Sequence, residues 1–68
     1  MNNLKATIAK NLKNIREGLN LTQFDLAKKA GLNGNTYAKI ERSGGLKLES
    51  LKKLAKALGV KSSDILEF

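Results

Sequence analysis

The stretch TQFDLAKKAGLNGNTYAKIER, residues 22–42, holds two helix-forming runs separated by a few positions that include a glycine. Thr22 is a capping residue type, and Asp25 three positions on completes a variant of the capping box while complementing a positive helix end. Leu26, Ala27 and Ala30, with Leu21 just upstream, give this short helix its buried face. Gly31 supplies the left-handed residue that stops it, since a residue without Cβ enters that conformation at no steric cost. Asn33 is a good N-cap for a second helix reaching about Arg42. Two short helices joined by so tight a bend have the spacing of a helix-turn-helix.

The flanks carry the same signals. Leu4, Ile8, Leu12, Ile15 and Leu19 step by four, four, three and four, so they share one face of a helix that ends near Gly18. Lys5, Lys10 and Lys13 fall on its wetter sides. Ser43 to Gly45 read as a flexible turn. Leu48, Leu51, Leu54, Ala55 and Leu58 mark a further helix closed by Gly59, and Ser62 or Ser63 can cap a short last one with Ile65 and Leu66. Proline is absent, and no repeat, linker or low-complexity segment interrupts the pattern. The expectation is an all-α, compact five-helix bundle, one domain over residues 1–68 with the helix-turn-helix at about 22–42.

Composition bounds the function. Sixty-eight residues are enough for one small domain, which buries about 60% of its unfolded surface. With no cysteine and no histidine, disulfides, most zinc sites and imidazole-based catalysis are excluded. The six acidic residues are scattered and the phosphate-cradling GxxxxGK[ST] pattern is missing, so no enzyme, cofactor, metal or small-molecule ligand is expected. Thirteen Lys plus Arg against six Asp plus Glu give a net charge of +7, which favours a polyanionic partner. The start MNNLKATIAK lacks a signal-peptide core and no segment can span a bilayer, so a soluble, cytoplasmic chain is expected.

The ordered set Gln23, Leu26, Ala27, Gly31, Tyr37, Ile40 and Glu41 resembles the helix-turn-helix of the lambda-repressor and Cro (XRE) type. LKNIREGLNLTQ (12–23) is similar to the family's lead-in and LESLKKLAKALGV (48–60) to its fourth helix, so the resemblance covers roughly residues 4–67. It implies a sequence-specific regulator that binds double-stranded DNA as a homodimer on a palindromic operator. Small chains of this type resemble phage repressors, restriction-modification controllers and antitoxins of bacterial, archaeal or phage origin.

The resemblance also assigns roles. The third helix enters the major groove, with Asn33, Gly34, Asn35, Thr36 and Lys39 as candidates for the base edges. Asn35 can pair with adenine N6 and N7, Lys39 with guanine O6 or N7, and Thr36 with a thymine methyl or a phosphate. Thr22, Gln23, Arg42, Ser43 and Lys47 are the phosphate candidates, helped by free amides at a helix start. Arg16 and Glu41 occupy the positions of an ion pair that ties the first helix to the third. Ala27 is small because the two motif helices cross closely there. Gly34 stands where many relatives carry a base-reading side chain. Its glycine either lets backbone approach DNA closely or marks a loosely capped helix start. Lys28 and Lys29 sit at the edge of this surface, whereas Lys52, Lys53 and Lys56 read as a solvated face and a long-range field.

Three departures stand out. Tyr37 replaces the usual Ile or Val, so its ring belongs at the core edge with the hydroxyl reaching out, either touching phosphate or tilting the third helix. Leu46 and Lys47 replace the Pro and Ser that often open the fourth helix, leaving its N-cap undefined. Phe24 fills a variable, usually polar position, either as a half-covered ring or as a partner surface. Ile65, Leu66 and Phe68 make an apolar end that is the candidate dimer contact. Two further classes compete with DNA reading. One is a protein-binding module such as an antitoxin whose main partner is a toxin. The other is a membrane-binding amphipath, suggested by LKLESLKKLAKALGV (46–60) alone and opposed by the caps and apolar faces of every other helix.

Overall fold

The computed structural model describes residues 4–66, and these form five helices with no strand among them. They are α1 (Leu4–Gly18), α2 (Gln23–Ala30), α3 (Gly34–Ser43), α4 (Leu48–Leu58) and α5 (Ser62–Leu66). The chain is an all-α bundle, as its periodicities predict. No described helix is long and apolar enough to cross a membrane.

The α1 stripe has a buried middle and exposed ends. Ile8 and Leu12 lie in the core and Ile15 packs against it, but Leu4 and Leu19 are largely exposed. The helix ends at Gly18, yet the left-handed turn that follows is made by Asn20 at φ 58°. Leu21 N there donates back to the Arg16 carbonyl at 3.1 Å, fixing the approach to α2. Asn is among the few non-glycine residues that tolerate this conformation.

Leu26, Ala27 and Ala30 of α2 join Tyr37 and Ile40 of α3, and Leu51, Leu54, Ala55 and Leu58 of α4, in one core. Ala27 is completely buried, as a close crossing of the motif helices demands. Leu48, the first residue of α4, is exposed. Lys47 occupies the α4 N-cap position without a side-chain hydrogen bond, so that helix starts without the usual cap.

Three sequence expectations need correction. The Ser43–Gly45 segment is not simply a flexible turn. Gly44 is the left-handed C-cap of α3 at φ 74°, and an added Cβ would collide with the Lys5 carbonyl on α1. The start of α5 is capped by neither Ser62 nor Ser63. Asp64 accepts from the Lys61 amide at 2.9 Å instead. Ile65 is not a surface dimer contact. It is fully buried between α1 and α4, and Asn11 Nδ2 donates to its carbonyl at 2.9 Å. Leu66 is half-buried, and Phe68 lies outside the described residues.

Candidate nucleic-acid interface

The bend that aims α3 is built from reciprocal local bonds. Thr22 Oγ1 accepts from the Asp25 amide and Asp25 Oδ2 accepts from the Thr22 amide, each at 3.0 Å. The Thr22 amide first, and the Thr22 hydroxyl second, hold the Asp25 carboxyl below its ordinary value. Gly31 closes α2 at φ 74°, and Leu32 N returns to the Ala27 carbonyl at 2.8 Å. Asn33 Oδ1 then accepts from Asn35 N at 2.8 Å, and the Asn33 carbonyl from Tyr37 N at 3.0 Å, so α3 starts in a fixed place. Such a capped bend positions two short helices that neither could hold in isolation.

The far end of α3 is clamped from α1. Arg16 Nε donates to Glu41 Oε2 at 2.9 Å and Nη2 to Oε1 at 2.8 Å, while Nη1 donates to the Leu21 carbonyl at 2.7 Å. Both side chains are about nine-tenths buried or more, at 10% and 5% exposure. Burial pushes the Glu41 carboxyl up, but hydrogen bonding led by Arg16, with smaller parts from Tyr37 and then Gln23, outweighs it and leaves the group below its ordinary value. The same bond raises the Arg16 guanidinium. A bidentate pair of this kind fixes an angle between helices, whatever its net contribution to stability.

Tyr37 departs from expectation. Its side chain is completely buried, and its hydroxyl lies beside the Arg16–Glu41 pair without a well-formed hydrogen bond among the described residues. Burial, followed by the nearby Glu41 carboxylate, raises the phenol well above its ordinary value. A group with no surface cannot touch phosphate, so Tyr37 leaves the phosphate set and belongs to the core beneath α3.

The other candidates are solvent-facing. Asn33, Asn35, Thr36 and Lys39 are exposed or half-exposed along the first two turns of α3, and Gly34 is half-buried. Asn33 has divided duties, since its Oδ1 is taken by the cap and only its amide nitrogen is left to donate. The side chains of Asn35, Thr36 and Lys39 make no hydrogen bond or ion pair with the described residues. Thr22, Gln23, Arg42, Ser43 and Lys47 lie at the surface too. The Gln23 and Phe24 amides lie where no preceding helical carbonyl reaches. Asp25 already neutralises part of that helix end. Ser43 is committed locally, donating to the Lys39 carbonyl at 2.8 Å and accepting from Gly45 N at 3.2 Å.

Gln23, Phe24, Asn33, Gly34, Asn35 and Ala38 line one cleft where α2 and α3 begin. This juxtaposition of the α2 start with the N-terminal end of α3 had no signal in either helix alone. Phe24 is 69% exposed rather than half-covered. Lys28, Lys29, Lys53 and Lys56 line a separate groove where the end of α2 meets α4, with Lys53 also 3.6 Å from Glu49. Among the described residues no cluster of acidic side chains is arranged to hold a metal ion.

The arrangement of these helices has counterparts among known proteins. The family model described as helix-turn-helix matches residues 12–65. A solved structure described as a hypothetical transcription factor, NHTF, from Neisseria superposes with a TM-score of 0.89 at 31% sequence identity, covering 94% of this chain and 75% of that one. None of the curated proteins matches the chain.

Proposed function

This chain belongs to the helix-turn-helix family, and from that membership we propose that it is a sequence-specific double-stranded DNA-binding regulator of transcription whose α3 reads the major groove. The observation that carries the reading is the contrast between the two sides of α3. Its inner side is locked by Tyr37, Ile40 and the Arg16–Glu41 pair, while Asn35, Thr36 and Lys39 stand outward with their side-chain polar atoms uncommitted. Uncommitted donors on a rigid, exposed helix face are what base-edge recognition requires. Arg42 and Lys47 extend positive charge past one end of that face, and the Gln23 and Phe24 amides lie at the other.

We assign the active species as a homodimer on a palindromic operator, with recognition helices one DNA turn apart, about 34 Å. With Ile65 in the core, Leu66 is the described residue left from the expected dimer end. The test is selection of bound duplexes from a random pool. An enriched palindrome supports both readout and symmetry, and an enriched single half-site removes the dimer. A flat profile removes sequence-specific reading and favours a protein-binding module, for which the exposed Phe24 ring is the feature to follow.

A further inference from the structure

Phe24 is the largest apolar side chain left open to solvent beside α3, and none of the DNA-contacting roles assigned above uses its ring. Its position is specific. An ideal Cβ on Gly34 would lie 3.6 Å from Phe24 Cδ1, so the ring stands directly beside the place where a Gly34 side chain would begin. Ala38, one turn along the same face, lines the same cleft, and Asn33, Asn35 and Gln23 border it. The missing side chain at Gly34 therefore leaves an apolar notch, walled by the ring and the Ala38 methyl, inside a polar rim.

The occupant follows from what a major groove presents. Its floor offers hydrogen-bond donors and acceptors, and the one apolar feature among unmodified bases is the C5-methyl of thymine. A ring there cannot stack on bases, because their faces are covered by their neighbours in the duplex. We propose that Phe24 is a specificity-determining residue and that the Phe24–Gly34–Ala38 notch receives a thymine 5-methyl group. The proposal rests on α3 reading the major groove. It also accounts for Gly34, since the glycine keeps the notch open. Asn33 and Asn35 would then read polar edges next to a base recognised by its methyl alone.

The experiment uses the full chain and the duplex enriched by selection. Each thymine of that duplex is replaced singly by deoxyuridine, which removes the methyl and leaves pairing intact. One thymine in each half-site should lose about fourfold in affinity on replacement, the scale of burying one methyl-sized group. Phe24→Ala should bind the parent duplex more weakly by a similar factor and show no further loss with deoxyuridine at that position. Because Phe24 is exposed, this variant keeps the fold. Gly34→Ala, whose methyl meets the ring at ordinary contact distance, should melt higher while losing the preference for thymine.

An enriched duplex whose affinity is unchanged by deoxyuridine at every thymine overturns the notch and leaves DNA reading standing. A methyl effect that persists undiminished in Phe24→Ala also overturns it, since another residue then reads the methyl. Failure to enrich any sequence removes the premise, and the notch with it.

Discussion

Replacing Gly44 with alanine separates two costs that other glycines of this chain carry singly or not at all. Gly31, Gly44 and Gly59 all close helices in the left-handed region, at φ 74°, 74° and 69°. A Cβ at Gly31 or Gly59 meets nothing within 4 Å, so alanine there costs only the left-handed conformation, about 1–2 kcal/mol. At Gly44 the same Cβ falls on the Lys5 carbonyl, which is backbone and cannot swing aside. Either the first turn of α1 frays or the α3 cap opens and gives up the Gly44 N–Ile40 O bond. Forced overpacking of this kind adds about 1–3 kcal/mol, bringing Gly44→Ala to about 2–5 kcal/mol. For a domain of this size each kcal/mol moves Tm by about 4–8 °C, so Gly44→Ala should melt at least about 8 °C below the parent. Urea titrations followed by helical circular dichroism, with Gly31→Ala and Gly59→Ala as controls, isolate the steric part. If all three variants lose the same stability within error, the close approach of the α3 end to α1 does not constrain the fold and the reasoning fails.

Tyr37→Phe removes a buried hydroxyl without a partner and should raise stability by about 1 kcal/mol, whereas a drop in Tm would mean that the hydroxyl is bonded to Glu41. Because burial raises the folded-state phenol above its ordinary 10.0, ionisation of this group costs the parent nothing below pH 10 and favours unfolding as pH rises from 10 toward the folded value; Tyr37→Phe should lack that part of the alkaline loss. Glu41→Gln leaves the Arg16 charge buried against a neutral partner and should cost about 3 kcal/mol by chemical denaturation. The Glu41 carboxyl is depressed in the fold, so its contribution is complete above the ordinary 4.5 and disappears as pH falls through the folded value. The parent's acid-side slope should therefore be steeper than that of Glu41→Gln, and equal slopes would contradict the pairing. Asn35→Ala should cost about 1–3 kcal/mol on the selected duplex and little on random DNA, while Arg42→Ala weakens both alike; equal specific-to-random ratios in a binding titration would reverse the assignment of these positions.

What could be read from the sequence was whatever local chemistry decides. Thr22 with Asp25, Gly31 and Asn33 specify their own caps within a few residues, so the bend was legible before any packing was known. What could not be read depended on distant parts of the chain. Whether Leu4, Leu19 or Leu48 is covered is set by where other helices end, not by the stripe that each belongs to. Ile65 sits in a five-residue helix, too short to carry a period, so its place in the core had no sequence signal. Gly44 meets Lys5 from far along the chain, and Phe24 meets Gly34 across the bend. Tyr37 was misread because a phenol suggests a wet tip, whereas the space beneath α3 admits the whole side chain.

The Arg16 clamp has a consequence best expressed as aim. Glu41 lies eight residues beyond Asn33, so the anchored point and the leading end of α3 are separated by roughly 12 Å of helix. A tilt of about 5° about that anchor sweeps the leading end through roughly 1 Å, which is enough to turn a hydrogen bond into a near miss. Arg16 sits at the pivot of this lever and also holds the Leu21 carbonyl, just ahead of α2. Angular play in either helix of the motif is thus damped by one guanidinium, buried on the side away from the exposed face of α3. On the proposed reading, the sharpness with which Asn35 meets a base edge is set by a residue that never approaches it.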